Sequence, residues 1–205
     1  RKVWDFSPRR LITPPGSQLA PSRKPGEQLA QLQAEHPWLS RGVEVMQMGA
    51  WVAHDQSRLA PWSQASAGLS GLTAVASAAW GINKLARAET GLDRVEGLCH
   101  VSLAVSYSMA SLEQLRPGLT WTASVATPAN YAAAGCEMVL GAADAYRGWR
   151  ENDGARKWTG VASLVSGASL AACVAFPAAS GLAQAVAVMS MATRQSILGR
   201  GPAEP

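Results

Sequence analysis

Residues 158–193 form a run of 36 without a charged side chain, and residues 59–83 form a second run of 25. A helix needs about 20 residues to cross a hydrocarbon core of about 30 Å, so the shorter run is long enough for one span. The longer run is interrupted by Pro177, which predicts one helix to Phe176 and a shorter apolar helix beyond it. Arg156, Lys157 and Arg194 flank the long run, while Trp62 and Trp80 stand near the ends of the other. Tryptophans at such places are the usual anchors at a membrane interface.

Composition sharpens this constraint. Charged residues make up only 16% of the 205, against the roughly 25% usual in soluble domains, and hydrophobic residues 48%. Mean hydropathy is nevertheless +0.02, because alanine, glycine and serine supply much of the bulk. The length suits one domain. Lys and Arg exceed Asp and Glu by 18 to 14, but beyond the N-terminal segment the basic residues are thinly spread, which argues against nucleic-acid binding. Cys99, Cys136 and Cys173 stand singly in apolar stretches and read as reduced core residues.

Residues 1–39 hold six of the twelve prolines, which prevents a continuous helix and predicts an extended arm. Its Trp4, Phe6 and Trp38 suggest that it lies along a partner. The first 26 residues carry six basic side chains against Asp5 alone, the character expected near the cut of an organellar targeting sequence. Residues 41–57 read as an amphipathic helix with Glu44 and Asp55 near its ends. Residues 97–112, uncharged but containing His100, are either a buried helix or a short span extended by Arg94 and Glu113. We read His100 as a hydrogen-bonded structural residue. Pro128 predicts a loop or re-entrant break before a helix over residues 130–150. That helix lines up Glu137, Gly141, Asp144 and Gly148 on a side that reads as solvated, away from Val139, Leu140 and Ala143.

The expected fold is therefore all-α: a membrane-embedded bundle of about five to six helices over residues 40–195, with the arm before it and a tail over residues 196–205. Small residues at four-residue spacing, Ser70, Ala74 and Ala78 in one span and Ser163, Gly167 and Ala171 in another, are the candidate helix-packing positions. Trp4, Trp38, Trp62, Trp80 and Trp158 are the candidate interface anchors. A shift of 63 residues aligns Lys84 with Arg147, Arg87 with Arg150, Gly91 with Gly154 and Gly97 with Gly160. The repeated unit reads as helix, basic end, glycine in a left-handed cap, apolar helix. Basic residues flank both ends of several spans, so the order of charges along the chain gives no orientation.

Phosphate-loop, dinucleotide, nucleophile-elbow and zinc-helix motifs do not occur in the sequence, and no catalytic, cofactor or metal residues are expected. Structural lipid is the one small-molecule companion considered. The order of features over residues 70–195 resembles the peroxin-eleven type membrane-elongation proteins. It runs from the basic-ended helix at 83–87 through YSMASLEQL at 107–115, a Trp-bearing loop and a limb ending in YRGWR to a basic ARKW before the last apolar pair. That resemblance implies a non-enzymatic helical protein that bends or scaffolds membrane, at the peroxisomal membrane. The processed basic start and packing stripes lead instead to a first expectation of a non-catalytic accessory subunit. Its setting would be a respiratory or ATP synthase complex of the mitochondrial inner membrane, its partners other subunits and lipid, with no nucleic acid.

Overall fold

The computed structural model describes residues 38–56 and 63–199. They form six α-helices: α1 (Trp38–Gln56), α2 (Ser63–Ala86), α3 (Gly91–Leu115), α4 (Trp121–Arg150), α5 (Gly154–Ala175) and α6 (Ser180–Gly199). A single 3-10 turn, Pro177–Ala179, joins the last two, and no strand occurs among the described residues. The all-α expectation holds. Two helices, over Gln64–Ala86 and Gly154–Ala175, are long and apolar enough to cross a membrane.

Local signals explain two of the helix starts. Thr90 caps α3 in a reciprocal box: its hydroxyl accepts from the Asp93 backbone N–H while the Asp93 carboxylate accepts from the Thr90 N–H at 2.9 Å. Asp153 caps α5, accepting from the Arg156 N–H at 3.0 Å. Thr90 and Asp153 are 63 residues apart, so the shifted segments fall on two helical hairpins, α2–α3 and α4–α5, each with a side-chain N-cap at the same place. The glycines of the repeat are not left-handed caps, however. Gly91 and Gly154 are the first residues of their helices, and the left-handed residue in the second turn is Asn152, at φ 54°.

Three further expectations need correction. Pro128 does not break the chain, because α4 runs continuously through it. Pro128 and Ser124, whose carbonyl would have received the missing N–H, are both exposed, so the freed oxygen sits on the outer side of the helix. Residues 196–199, read as tail, continue α6, and α1 begins at Trp38, inside the stretch read as arm. The rest of the arm, including Trp4, lies outside the described residues, as do Trp62 and residues 200–205.

Successive helices are antiparallel neighbours, and α1 closes against both α2 and α6. Each hairpin meets through glycine. A Cβ added to Gly97 would lie 2.7 Å from Leu85 Cγ and 3.0 Å from the Gly81 carbonyl oxygen. In the second hairpin, a Cβ on Gly141 would lie 2.7 Å from the Gly160 carbonyl oxygen. The backbones approach so closely that no side chain fits between them, which is the small-residue packing expected of apolar helices.

Candidate functional site: a polar cavity inside an apolar shell

Half of the buried non-glycine residues are polar: eleven against eleven. On α2 the inward positions include Ser66, Ser70, Thr73 and Ser77, three of them at 0% exposure, beside Ala67, Ala74 and Trp80, while Leu72, Val75 and Ile82 stand outward at 61 to 70%. On α6, Leu182 and Met189 are similarly exposed, one above the other. A soluble helix places its apolar stripe inward; α2 instead buries small polar side chains and sets its large aliphatic ones outward.

Three of these four α2 hydroxyls are hydrogen-bonded, while Ser70 Oγ has no partner among the described residues. Thr73 donates to the Leu69 carbonyl at 2.8 Å, Gln47 donates to Ser77 Oγ at 2.8 Å, and Gln114 donates to Ser66 Oγ at 2.9 Å. Tyr107 donates to the Gln47 carbonyl at 2.6 Å, tying α3 to α1. His100 lies between the two, with Nδ1 3.3 Å from Gln47 Nε2 and its ring edge-on to Trp80 at 6.4 Å.

Gln47, His100 and Tyr107 border a cavity of about 570 Å³, walled by α1, α3, α4, α5 and α6. Five carboxylates line it, Glu44, Glu96, Glu113, Glu137 and Asp144, against a single guanidinium, Arg194. Arg194 is shared: its Nη2 lies 3.1 Å from Glu44 and its Nη1 lies 3.9 Å from Glu137. Gln195 donates a further hydrogen bond to Glu44. Burial pushes the Glu44 carboxyl above its ordinary range, opposed in part by Arg194. Three helices, α1, α4 and α6, are thus joined at one cation.

Here the sequence reading of α4 is reversed. Glu137, Gly141 and Gly148 face the interior, with the Glu137 side chain only 13% exposed, while Val139 is 50% exposed. The expected solvated side is the packed side, because the glycines of that side must admit α5. Asp144 turns to Arg156 at 3.4 Å, so the two carboxylates serve different cations and do not form a joint acid–base pair. Cys99 donates to the Ala133 carbonyl at 3.6 Å rather than facing His100, and all three cysteines are free thiols. Among the described residues, no cluster of three His, Cys, Asp or Glu side chains is placed to hold a metal ion.

Of the expected packing residues, Ser70 and Ala74 are buried on α2, with Ala78 half-buried beside them. Ser163 and Gly167 lie against α4, and Ala171 packs on the small core of Cys99, Ala133, Ala134 and Leu170. Of the expected anchors, Trp158 is 58% exposed. Trp80 is a correction: at 7% exposure it belongs to the interior, because it closes the space over His100. The side chain of Trp38 lies outside the described residues. The contact glycines Gly81, Gly141 and Gly148 were not singled out as packing positions from spacing. Their signal, glycine inside an otherwise helical pattern, was present. No protein-family model matches this chain, and no curated protein or solved structure matches it either.

Proposed function

We propose that this chain is a non-catalytic, membrane-embedded helical subunit of a larger membrane complex, with α2 and α5 crossing the bilayer and the other helices packed on them. The carrying observation is the inverted polarity of the bundle. Serines and threonines face inward on α2 while Leu72, Val75 and Ile82 face outward. Hydrocarbon solvates an outward Leu or Val as well as a protein core does, so association of such helices relies on close backbone approach and interhelical hydrogen bonds. The glycine contacts and the Gln47, Tyr107 and Gln114 bonds supply both.

The exposed apolar stripes of α2 and α6 leave surface for neighbouring helices and lipid, which is what a subunit requires. We assign the mitochondrial inner membrane and a respiratory or ATP synthase complex on the acid-poor, basic N-terminal composition. Two measurements test the proposal. Alkaline carbonate should leave the chain in the membrane pellet; release would reject membrane embedding. After gentle solubilisation, a native gel should place it in a band far above 21.5 kDa with comigrating membrane proteins. A small band containing only this chain would reject the subunit reading and favour autonomous membrane shaping, for which liposome tubulation is the assay.

A further inference from the structure

Nine of the ten Lys and Arg side chains among the described residues lie in one half of the bundle, the half carrying the α2–α3 and α4–α5 turns. Arg116, in the α3–α4 turn, is the exception. The spread along the sequence conceals this, because antiparallel helices bring residues 84–94 and 147–157 to the same end. Most of the acidic side chains lie in the same half, but much of their charge is engaged. Glu96 pairs with Lys84 at 2.8 Å, Glu151 with Arg156 at 2.9 Å, and Asp93 and Asp153 cap helices. Arg147, Arg150 and Lys157 have no carboxylate within 4.0 Å among the described residues, and all three are exposed.

Around them stand three exposed aromatic rings: Tyr146 at 61%, Trp149 at 76% and Trp158 at 58%. Lys157 Nζ lies 5.9 Å from the Trp149 ring centre and 5.7 Å from that of Trp158, and Arg150 lies 6.0 Å from the Tyr146 ring. Rings with one apolar body and one polar edge, interleaved with unpaired cations at a helix end, match the headgroup level of a bilayer. Cations gathered at one end also mark the side that stays untranslocated, where anionic lipid is concentrated.

We propose that the α4–α5 tip is a docking surface for anionic phospholipid headgroups, with Arg147, Arg150 and Lys157 binding phosphate and Trp149 and Trp158 seated at the interface. This rests on the membrane reading above and adds the lipid class and the end of the bundle that meets it. Each basic residue near an anionic surface contributes about fivefold in affinity, so three give roughly a hundredfold.

The test titrates the full chain in neutral detergent with phosphatidylglycerol or phosphatidylcholine and follows tryptophan emission. Phosphatidylglycerol should bind about a hundredfold more tightly. The exposed-surface variant R147Q/R150Q/K157Q should lose that preference without losing helix content. Equal midpoints for the two lipids, or a preference retained in the triple variant, would overturn the inference. So would displacement of phosphatidylglycerol by equimolar inorganic phosphate, which would make the tip a simple anion site. Carbonate extraction of the source membranes, before solubilisation, separates the two levels. A chain that washes off the membrane defeats the membrane reading, whereas a carbonate-resistant chain without lipid preference defeats only this inference.

Discussion

At the single-residue scale, two sites carry clear consequences. Thr90 and Asp93 cap α3 through paired hydrogen bonds, and the bonds from Thr90 hold the Asp93 carboxyl below its usual range. A carboxylate with a folded pKa below its unfolded value stabilises the fold above the unfolded pKa, and that contribution disappears as pH falls through the folded one. Thr90→Ala should therefore cost about 0.5–2 kcal/mol at neutral pH, read as a lower melting temperature in detergent. Asp93→Asn should flatten the acid limb of the stability profile, and an unchanged limb would remove Asp93 from that role. At the other site, Arg194 serves Glu44 and Glu137 together. Arg194→Met leaves two partly buried carboxylates facing each other and should cost about 3 kcal/mol. Adding Glu137→Gln should recover part of that loss, and a double-mutant cycle without coupling would sever the link.

At the scale of the elements, each hairpin depends on positions where nothing larger than hydrogen fits. Gly141→Ala sets a methyl against the Gly160 carbonyl and should destabilise the α4–α5 pair by about 1–3 kcal/mol. Gly135→Ala, in the same helix with nothing within 4 Å of the added carbon, should instead stabilise by about 0.5–1 kcal/mol. Opposite signs from two identical substitutions on one helix would separate packing from propensity; equal effects would discard the close-contact account. The same helix shows what the sequence could and could not disclose. Its C-terminal limit at Arg150 and the turn after it were legible, since basic residues, a polar turn and a capping Asp are local signals. The direction of its faces was not. Glu137 and Asp144 read as a solvated side under the rule that charge points to water, but the two glycines between and after them needed that side for α5. Pro128 misled for a related reason: its cost depends on whether the orphaned carbonyl is exposed, which periodicity does not encode.

Across the whole molecule, helix number and all-α class followed from uninterrupted apolar runs, whereas the cavity and the polarity of the ends are products of topology. Glu44, Glu137 and Arg194 are separated by 57 residues or more and meet only because α1 closes the ring against α6. Likewise, the basic residues look scattered until antiparallel packing gathers them at one end. The outer surface offers the most direct test of the assembled bundle. Val75 is 70% exposed near the middle of α2, on the stripe shared with Leu72 and Ile82. In water, Val75→Arg would be nearly neutral, because a surface substitution away from special features usually changes stability by less than about 0.5 kcal/mol. In hydrocarbon, the arginine costs about 2.5–3.5 kcal/mol of insertion free energy at the centre of a span, so the inserted fraction should fall sharply. The inward partner change, Ser70→Val, meets a fully enclosed site and should disturb packing while leaving insertion intact. Measuring carbonate-resistant protein for the two variants side by side separates the environments. Loss with Val75→Arg and retention with Ser70→Val is the signature of an apolar shell in lipid, and full retention of both would place α2 in water.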